Sequence, residues 1–204
     1  MNFVDLSHTV NAQTPVYPGD PAVEIVASGD IEKDGFADHK VTFGTHVGNH
    51  IDAPAHMIAG SKKLSDIMPR RFIVPAVCID VTEGFDADVV AATEVEEGGA
   101  ILFYTGVSQY FAKPSYWEKY QIMDQACINA LVSKKISLIG VDAGSVDNQE
   151  DFPVHKTLLG NDILILENLA PALQELVGKH FELIALPLKL EFDGAPARVI
   201  ARLV

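Results

Sequence analysis

Histidine and carboxylate side chains crowd one short segment of this chain. His46, His50, Asp52 and His56 lie within His46-Val47-Gly48-Asn49-His50-Ile51-Asp52-Ala53-Pro54-Ala55-His56, and all four occupy even positions. In an extended strand, residues at i, i+2 and i+4 share one face, so a straight segment would point all four groups into one space. Imidazole nitrogen and carboxylate oxygen are ligands for first-row transition metals, and a water-activating site needs several of them plus an open position. The segment therefore predicts the core of a metal site that performs hydrolysis.

A helix is the competing geometry, because His46 and His50 also stand at i, i+4. Gly48 would cost that helix about 1 kcal/mol and Pro54 about 3 kcal/mol. Pro54 also pushes Ala53 toward extended backbone, and no glutamate follows His46 to serve as the base of a helical zinc motif. The extended reading is preferred. Four residues of strand would separate His46 and His50 by about 13 Å, near the limit for two imidazoles on one ion. Gly48 is expected to supply a bend or bulge there.

A scaffold has to hold these groups. Strand-like runs cover Ala22–Ala27, Lys40–Ile51, Phe72–Val81, Ala100–Tyr104, Ile136–Val141, Ile163–Leu166, Phe181–Leu190 and Ala197–Val204. Helical patterns cover Asp86–Glu97, Asp124–Ser133 and Pro171–Val177, with Asp124 a plausible N-cap and Pro171 suited to a first turn. Many of the strands are continuous apolar runs, as expected when both faces are covered. One mixed α/β domain spanning residues 1–204 is expected, with a large β component.

Bulk properties exclude several functions. A net charge of −13 argues against nucleic acid or an anionic membrane, both of which demand a basic surface. No apolar run approaches the roughly 20 residues that span a bilayer. The start, Met1-Asn2-Phe3-Val4-Asp5, does not read as a secretory signal. Cys78 and Cys127 fit no zinc or redox spacing and are expected to be reduced and buried, which makes the cytoplasm the default location.

Two further ligand types stand far downstream. His155 follows the turn signal Asp151-Phe152-Pro153-Val154, and Glu167 ends the apolar run Ile163–Leu166. A carboxylate there either lies exposed at a strand end or, if buried, needs a partner. His8, His39 and His180 lack comparable company. Tyr17, Phe152 and the Asp142–Asp147 turn are candidates for a pocket wall, although Tyr17 precedes a Pro-Gly-Asp turn and equally suits a loop anchor.

The pattern H-x-G-[TN]-H-x-D-x-P-x-H, followed by His155 and, twelve positions on, Glu167, resembles the cyclase-family metal-dependent hydrolases, which include bacterial kynurenine formamidases and isatin hydrolases. Leu6-Ser7-His8, Pro15-Val16-Tyr17-Pro18-Gly19-Asp20, Ile165-Leu166-Glu167-Asn168-Leu169 and Asp193-Gly194-Ala195-Pro196-Ala197-Arg198 also have counterparts in similar order. The resemblance implies a swivelling β/β/α fold with mixed sheets and a few flanking helices, assembled as a homodimer or homotetramer. It implies two divalent ions per chain, zinc first and manganese second. His46, His50 and Asp52 would hold one ion, Asp52 and Glu167 would bridge, and His155 would complete the other. His56 matches the family's general acid/base, with a further ligand as the alternative role.

The implied reaction is hydrolysis of an amide-type carbonyl bond by a metal-bound hydroxide. The substrate would be an arylformamide such as N-formylkynurenine, or an isatin-like cyclic amide or lactone. A non-catalytic metal-containing binding protein is the rival from another class. Two positions depart from the family pattern. Asn49 replaces the usual threonine between ligands, and Tyr17 stands where kynurenine formamidases carry a tryptophan over the substrate ring. Tyrosine can still stack on an arene.

Overall fold

The run Ala-Ile-Leu-Phe-Tyr forms a strand buried at all five positions, the burial of a strand covered on both faces. It lies at the centre of the computed structural model, which describes residues 2–118 and 121–203. Strands in chain order are β1 (Asn2–Asp5), β2 (Glu24–Gly29), β3 (Asp38–Thr42), β4 (His50–Asp52), β5 (Ile73–Asp80), β6 (Ala100–Tyr104), β7 (Leu138–Val141), β8 (Leu164–Glu167), β9 (His180–Pro187) and β10 (Gly194–Leu203). The α-helices are α1 (Ile31–Asp34), α2 (Ala87–Ala92), α3 (Gln125–Ser133) and α4 (Pro153–Gly160).

Strands β5, β6, β7 and β8 pair in parallel, while β4 joins β8 and β9 joins β5 antiparallel. Strand β10 pairs antiparallel with both β4 and β9, which closes the sheet into a ring, and β1 adds to β10. Side chains alternate between two cores. Leu102, Leu138, Leu164, Leu166 and Leu183 fill the ring interior. Ile101, Phe103, Ile139 and Ile165 point outward beneath Cys127, Ile128 and Leu131 of α3 and Val154, Leu158 and Leu159 of α4. Each such aliphatic side chain contributes about 1.5–3 kcal/mol by leaving water. This is the mixed α/β class expected from the sequence. Cys78 and Cys127 are free and buried, and no helix among the described residues is long and apolar enough to cross a membrane.

The structure corrects several elements. The expected strand Lys40–Ile51 is two strands, β3 and β4, because the chain turns between them and Gly48 takes φ +56°. The predicted helix Asp86–Glu97 shrinks to α2, capped by the Asp86 carboxylate, and Pro171–Leu176 is a 3-10 helix. Helix α4 was unexpected, since its turn-like opening masks the Val154, Leu158, Leu159 spacing that buries it. Strands β2 and β3 form a separate antiparallel ribbon, exposed along nearly its whole length.

Candidate metal centre

Register between β4 and β8 builds the floor of the site. His50 lies directly opposite Glu167 and Asp52 opposite Ile165, so these side chains share a face while Ile51 and Leu166 turn into the ring. That shared face is the one covered by α4. His46 does not belong to the strand, which corrects the single-face picture. It reaches the same place from the turn containing Gly48, with Nδ1 at 2.9 Å from Asp52 Oδ1. Gly194, opposite Asp52 on β10, leaves the room: a Cβ there would sit 2.9 Å from His46 Cε1. His56 follows Pro54 in a one-turn 3-10 helix, with its ring 4.0 Å from that of His46 and 5.8 Å from that of His155.

His155 arrives from the first turn of α4. Phe152, at the N-cap position, offers no side-chain cap. The fully buried Asp147 takes over that duty, accepting the Val154 N–H at 3.1 Å and the His155 N–H at 2.9 Å. Asp147 also accepts His155 Nδ1–H at 2.7 Å. The equivalent proton of His50 goes to the Gly48 carbonyl at 2.8 Å. Both imidazoles thus have Nδ1 occupied and present Nε2 to the carboxylates. His50 Nε2 is 3.4 Å from Asp52 Oδ1 and 3.4 Å from Glu167 Oε2. His155 Nε2 is 3.2 Å from Glu167 Oε1 and 3.5 Å from Asp52 Oδ2.

These residues fit a divalent ion. Asp52 Oδ2 is buried without a hydrogen-bond partner among the described residues, an expensive state unless a cation meets it. Nitrogen and oxygen separated by 3.2–3.5 Å are too far apart for strong charge-assisted hydrogen bonds. That spacing matches the edge of a tetrahedron with bonds of about 2.0 Å, which is about 3.3 Å. Two donor groups have their ligand atoms within 4.8 Å of one another, His46–Asp52–His56 and His50–Asp52–Glu167. Asp52 is common to both, as a bridging role requires. The grouping differs from the one implied by resemblance, in which His50 sides with His46.

Without an ion, protons fill the same gaps. Burial opposes charge on His50, but Asp52 and Glu167 push its pKa up to about 10. Burial likewise opposes charge on His155, which Asp147, Asp52 and Glu167 raise to about 12. Burial would raise the Asp52 carboxyl, yet His155, His46 and His50 hold it well below its usual range. His56 behaves oppositely. Its burial, reinforced by the neighbouring His46 and His155, lowers its pKa and keeps it neutral.

Asp193, absent from the candidates drawn from sequence, touches both kinds of histidine. Its Oδ2 lies 2.7 Å from His46 Nε2 and 3.3 Å from His56 Nδ1. Its place beside Gly194, across from β4, is set by closure of the ring, which has no local sequence signal. A cavity of about 460 Å³ opens over the cluster, lined in part by Tyr17, Trp117, Met57 and Phe152. Tyr17 packs edge-on against Trp117 at 5.6 Å. Of the Asp142–Asp147 turn, Gly144 and Ser145 reach the cavity. Asp142 instead accepts hydrogen bonds from Thr105, Gly106 and Ser108, pinning that loop. Asn49 joins Leu6 O to the His8 N–H and so ties the N-terminal segment to the ligand segment.

Comparison with known proteins points to one family. Residues 4–148 match the profile of the Cyclase family. A kynurenine formamidase of Bacillus cytotoxicus is 34% identical over 211 residues, spanning 98% of this chain and 97% of its own. A solved structure described as a potential metal-dependent hydrolase with cyclase activity superposes with a TM-score of 0.81 at 28% identity, over 98% of this chain and 96% of that one. An isatin hydrolase bound to the product analogue thioisatinate gives a TM-score of 0.85 at 26% identity, over 98% and 91% of the two chains. With its family profile, its relatives and its clustered imidazoles and carboxylates in agreement, this chain belongs to the cyclase family.

Proposed function

We propose that the chain is a metal-dependent hydrolase that cleaves an amide-type carbonyl bond, with an arylformamide such as N-formylkynurenine as the first candidate substrate. The observation that carries this reading is Asp52, whose buried Oδ2 has no hydrogen-bond partner among the described residues and lies beside imidazole nitrogens that Asp52 and Glu167 share at 3.2–3.5 Å. Similarity along the whole chain to a kynurenine formamidase supports the substrate class. The cavity's Tyr17, Trp117 and Phe152 would hold an aryl ring. Isatin-like cyclic amides and lactones are the second reading, supported by the isatin hydrolase neighbour.

His46, His50, Asp52, His155 and Glu167 would hold two divalent ions, zinc by preference and manganese as the alternative, with Asp52 shared. Such an ion supplies Lewis-acid chemistry, lowering the pKa of water and polarising a carbonyl. His56, neutral because it is buried, accepts a proton from the attacking water and returns it to the leaving nitrogen. The Asp193 carboxylate takes the Nδ1 side of His56 and leaves Nε2 as the working nitrogen. It also steadies His46.

The same proposal includes a homodimer or homotetramer. An isolated two-stranded ribbon is marginally stable in water, and the β2–β3 ribbon together with the α1 connection between its strands, where Val26, Ile31 and Phe36 are exposed, is the surface a second copy would cover. Free, buried cysteines suit the cytoplasm. The deciding experiment assays zinc-loaded, manganese-loaded and chelator-treated protein against N-formylkynurenine, isatin and a lactone panel. Turnover of the formamide that vanishes with chelator is expected. Binding of these compounds without turnover by either loaded form would make the chain a metal-containing binding protein instead.

A further inference from the structure

We propose that Asn168 contacts the substrate, donating a side-chain N–H to the oxygen of the carbonyl under attack. This rests on the hydrolase reading and adds the residue that aims the acyl group. Asn168 directly follows Glu167 at the end of β8, is 4% exposed and lines the cavity over the metal cluster. Its backbone takes φ +61°, a left-handed conformation that asparagine tolerates better than most residues other than glycine. The Asn168 N–H is tied to Ala143 O at 2.9 Å.

The side chain is held in one orientation. Asn168 Oδ1 accepts the hydroxyl of the fully buried Tyr116 at 2.7 Å. A buried phenol proton needs an acceptor, so the amide oxygen faces Tyr116 and the NH₂ faces away from it. That NH₂ has no protein partner among the described residues, and it is not among the sealed, unpaired atoms either, which leaves the cavity as its outlet. A preorganised donor of this kind matches the partial negative charge that grows on a carbonyl oxygen during attack.

Other cavity groups are less suited to the task. His50 and His155 have spent their Nδ1 protons on Gly48 and Asp147. Ser145 Oγ accepts the Asp147 N–H at 3.1 Å, and its proton rotates freely. No lysine or arginine lines the cavity among the described residues, and Asp20 stands on its wall.

The test uses Asn168→Gly, because glycine adopts φ +61° without strain while the whole side chain, donor and Tyr116 acceptor alike, is removed. Metal content, Tm, kcat and KM are measured with N-formylkynurenine and formanilide, alongside Tyr116→Phe. Asn168→Gly is expected to keep its metal while kcat falls by about 10²-fold, the cost of losing one oxyanion donor; its Tm should drop, because the buried Tyr116 hydroxyl loses its acceptor. Tyr116→Phe, which frees the amide to flip, should fall in between and leave KM nearly unchanged. An Asn168→Gly kcat within threefold of wild type overturns the proposal. Should wild type turn over neither compound, the function reading fails, and Asn168 is judged by calorimetric binding of isatin to the zinc-loaded chains. Binding at least tenfold weaker in Asn168→Gly is expected there; equal affinity, or no binding to either chain, overturns the assignment.

Discussion

Replacing Asp147 by asparagine should separate a helix cap from a metal-site support, and the structure sets the size of both effects. The carboxylate is fully buried and accepts three donors: the Val154 N–H on Oδ1, and the His155 N–H and Nδ1–H on Oδ2. Asparagine keeps one acceptor oxygen and turns an NH₂ toward the remaining donors. One buried N–H left unpaired costs about 1–3 kcal/mol, and weakening the cap of α4 costs about 0.5–2 kcal/mol. A loss of about 2–4 kcal/mol follows, which lowers Tm by roughly 5–15 °C for a chain of this size. Freeing the His155 ring should weaken metal binding by about 10–100-fold. The assay titrates chelator-stripped wild type and variant with zinc against a fluorescent competitor at 25 °C, with unfolding recorded in the same buffer. A variant with lower Tm but zinc affinity within threefold of wild type would refute the argument. Asp147 would then be a cap alone, and His155 would not act through Nε2.

His56→Ala should retain its metal while kcat falls roughly 10²–10⁴-fold; elemental analysis showing lost metal, with activity recovered in excess ion, would make His56 a ligand. Gly194→Ala places a methyl 2.9 Å from His46 Cε1 and 3.0 Å from Ile51 O. The His46 ring must move off Asp52, so zinc affinity should drop at least about tenfold, and an unchanged affinity would show that His46 is not held there. The ion-free protein should lose stability as pH rises. His50 and His155, with folded pKa values of about 10 and about 12, lie above the unfolded value of about 6.5. Their contribution is complete below that value and is lost as pH climbs through the folded ones. A bound ion displaces those protons, so the Tm gain on adding zinc should grow from about pH 6 to about pH 10, and thermal scans showing it shrink would contradict the ligand set.

Chemistry was more legible in the sequence than the path of the chain. His50 and Asp52 are two residues apart on a real strand, so period-two reasoning placed them correctly. The same reasoning failed for His46 and His56, because Gly48 and Pro54 end the strand on either side and a turn and a 3-10 helix bring the rings back. Gly48 was readable as a bend, though where the bend would aim His46 was not. Helix α4 was hidden because its cap comes from Asp147, outside the helix, and Phe152 at the cap position carries no capping oxygen. Asp193 and Asn168 lie in segments that share the family resemblance, but nothing in their type or spacing marked them as members of the site. Their roles come from pairings across the ring and from one buried phenol.

Closure of the ring by β10 has a consequence for the order of assembly. Asp193 and Gly194 meet His46 only once β10 has paired with β4, although His46 precedes them by well over a hundred residues. A nascent chain whose β10 has not yet been synthesised carries all five proposed ligands but lacks the pairing that brings the Asp193 carboxylate to His46 and His56. Hydrolytic competence should therefore switch on abruptly with the sealing strand, and a partly made chain would be spared premature chemistry.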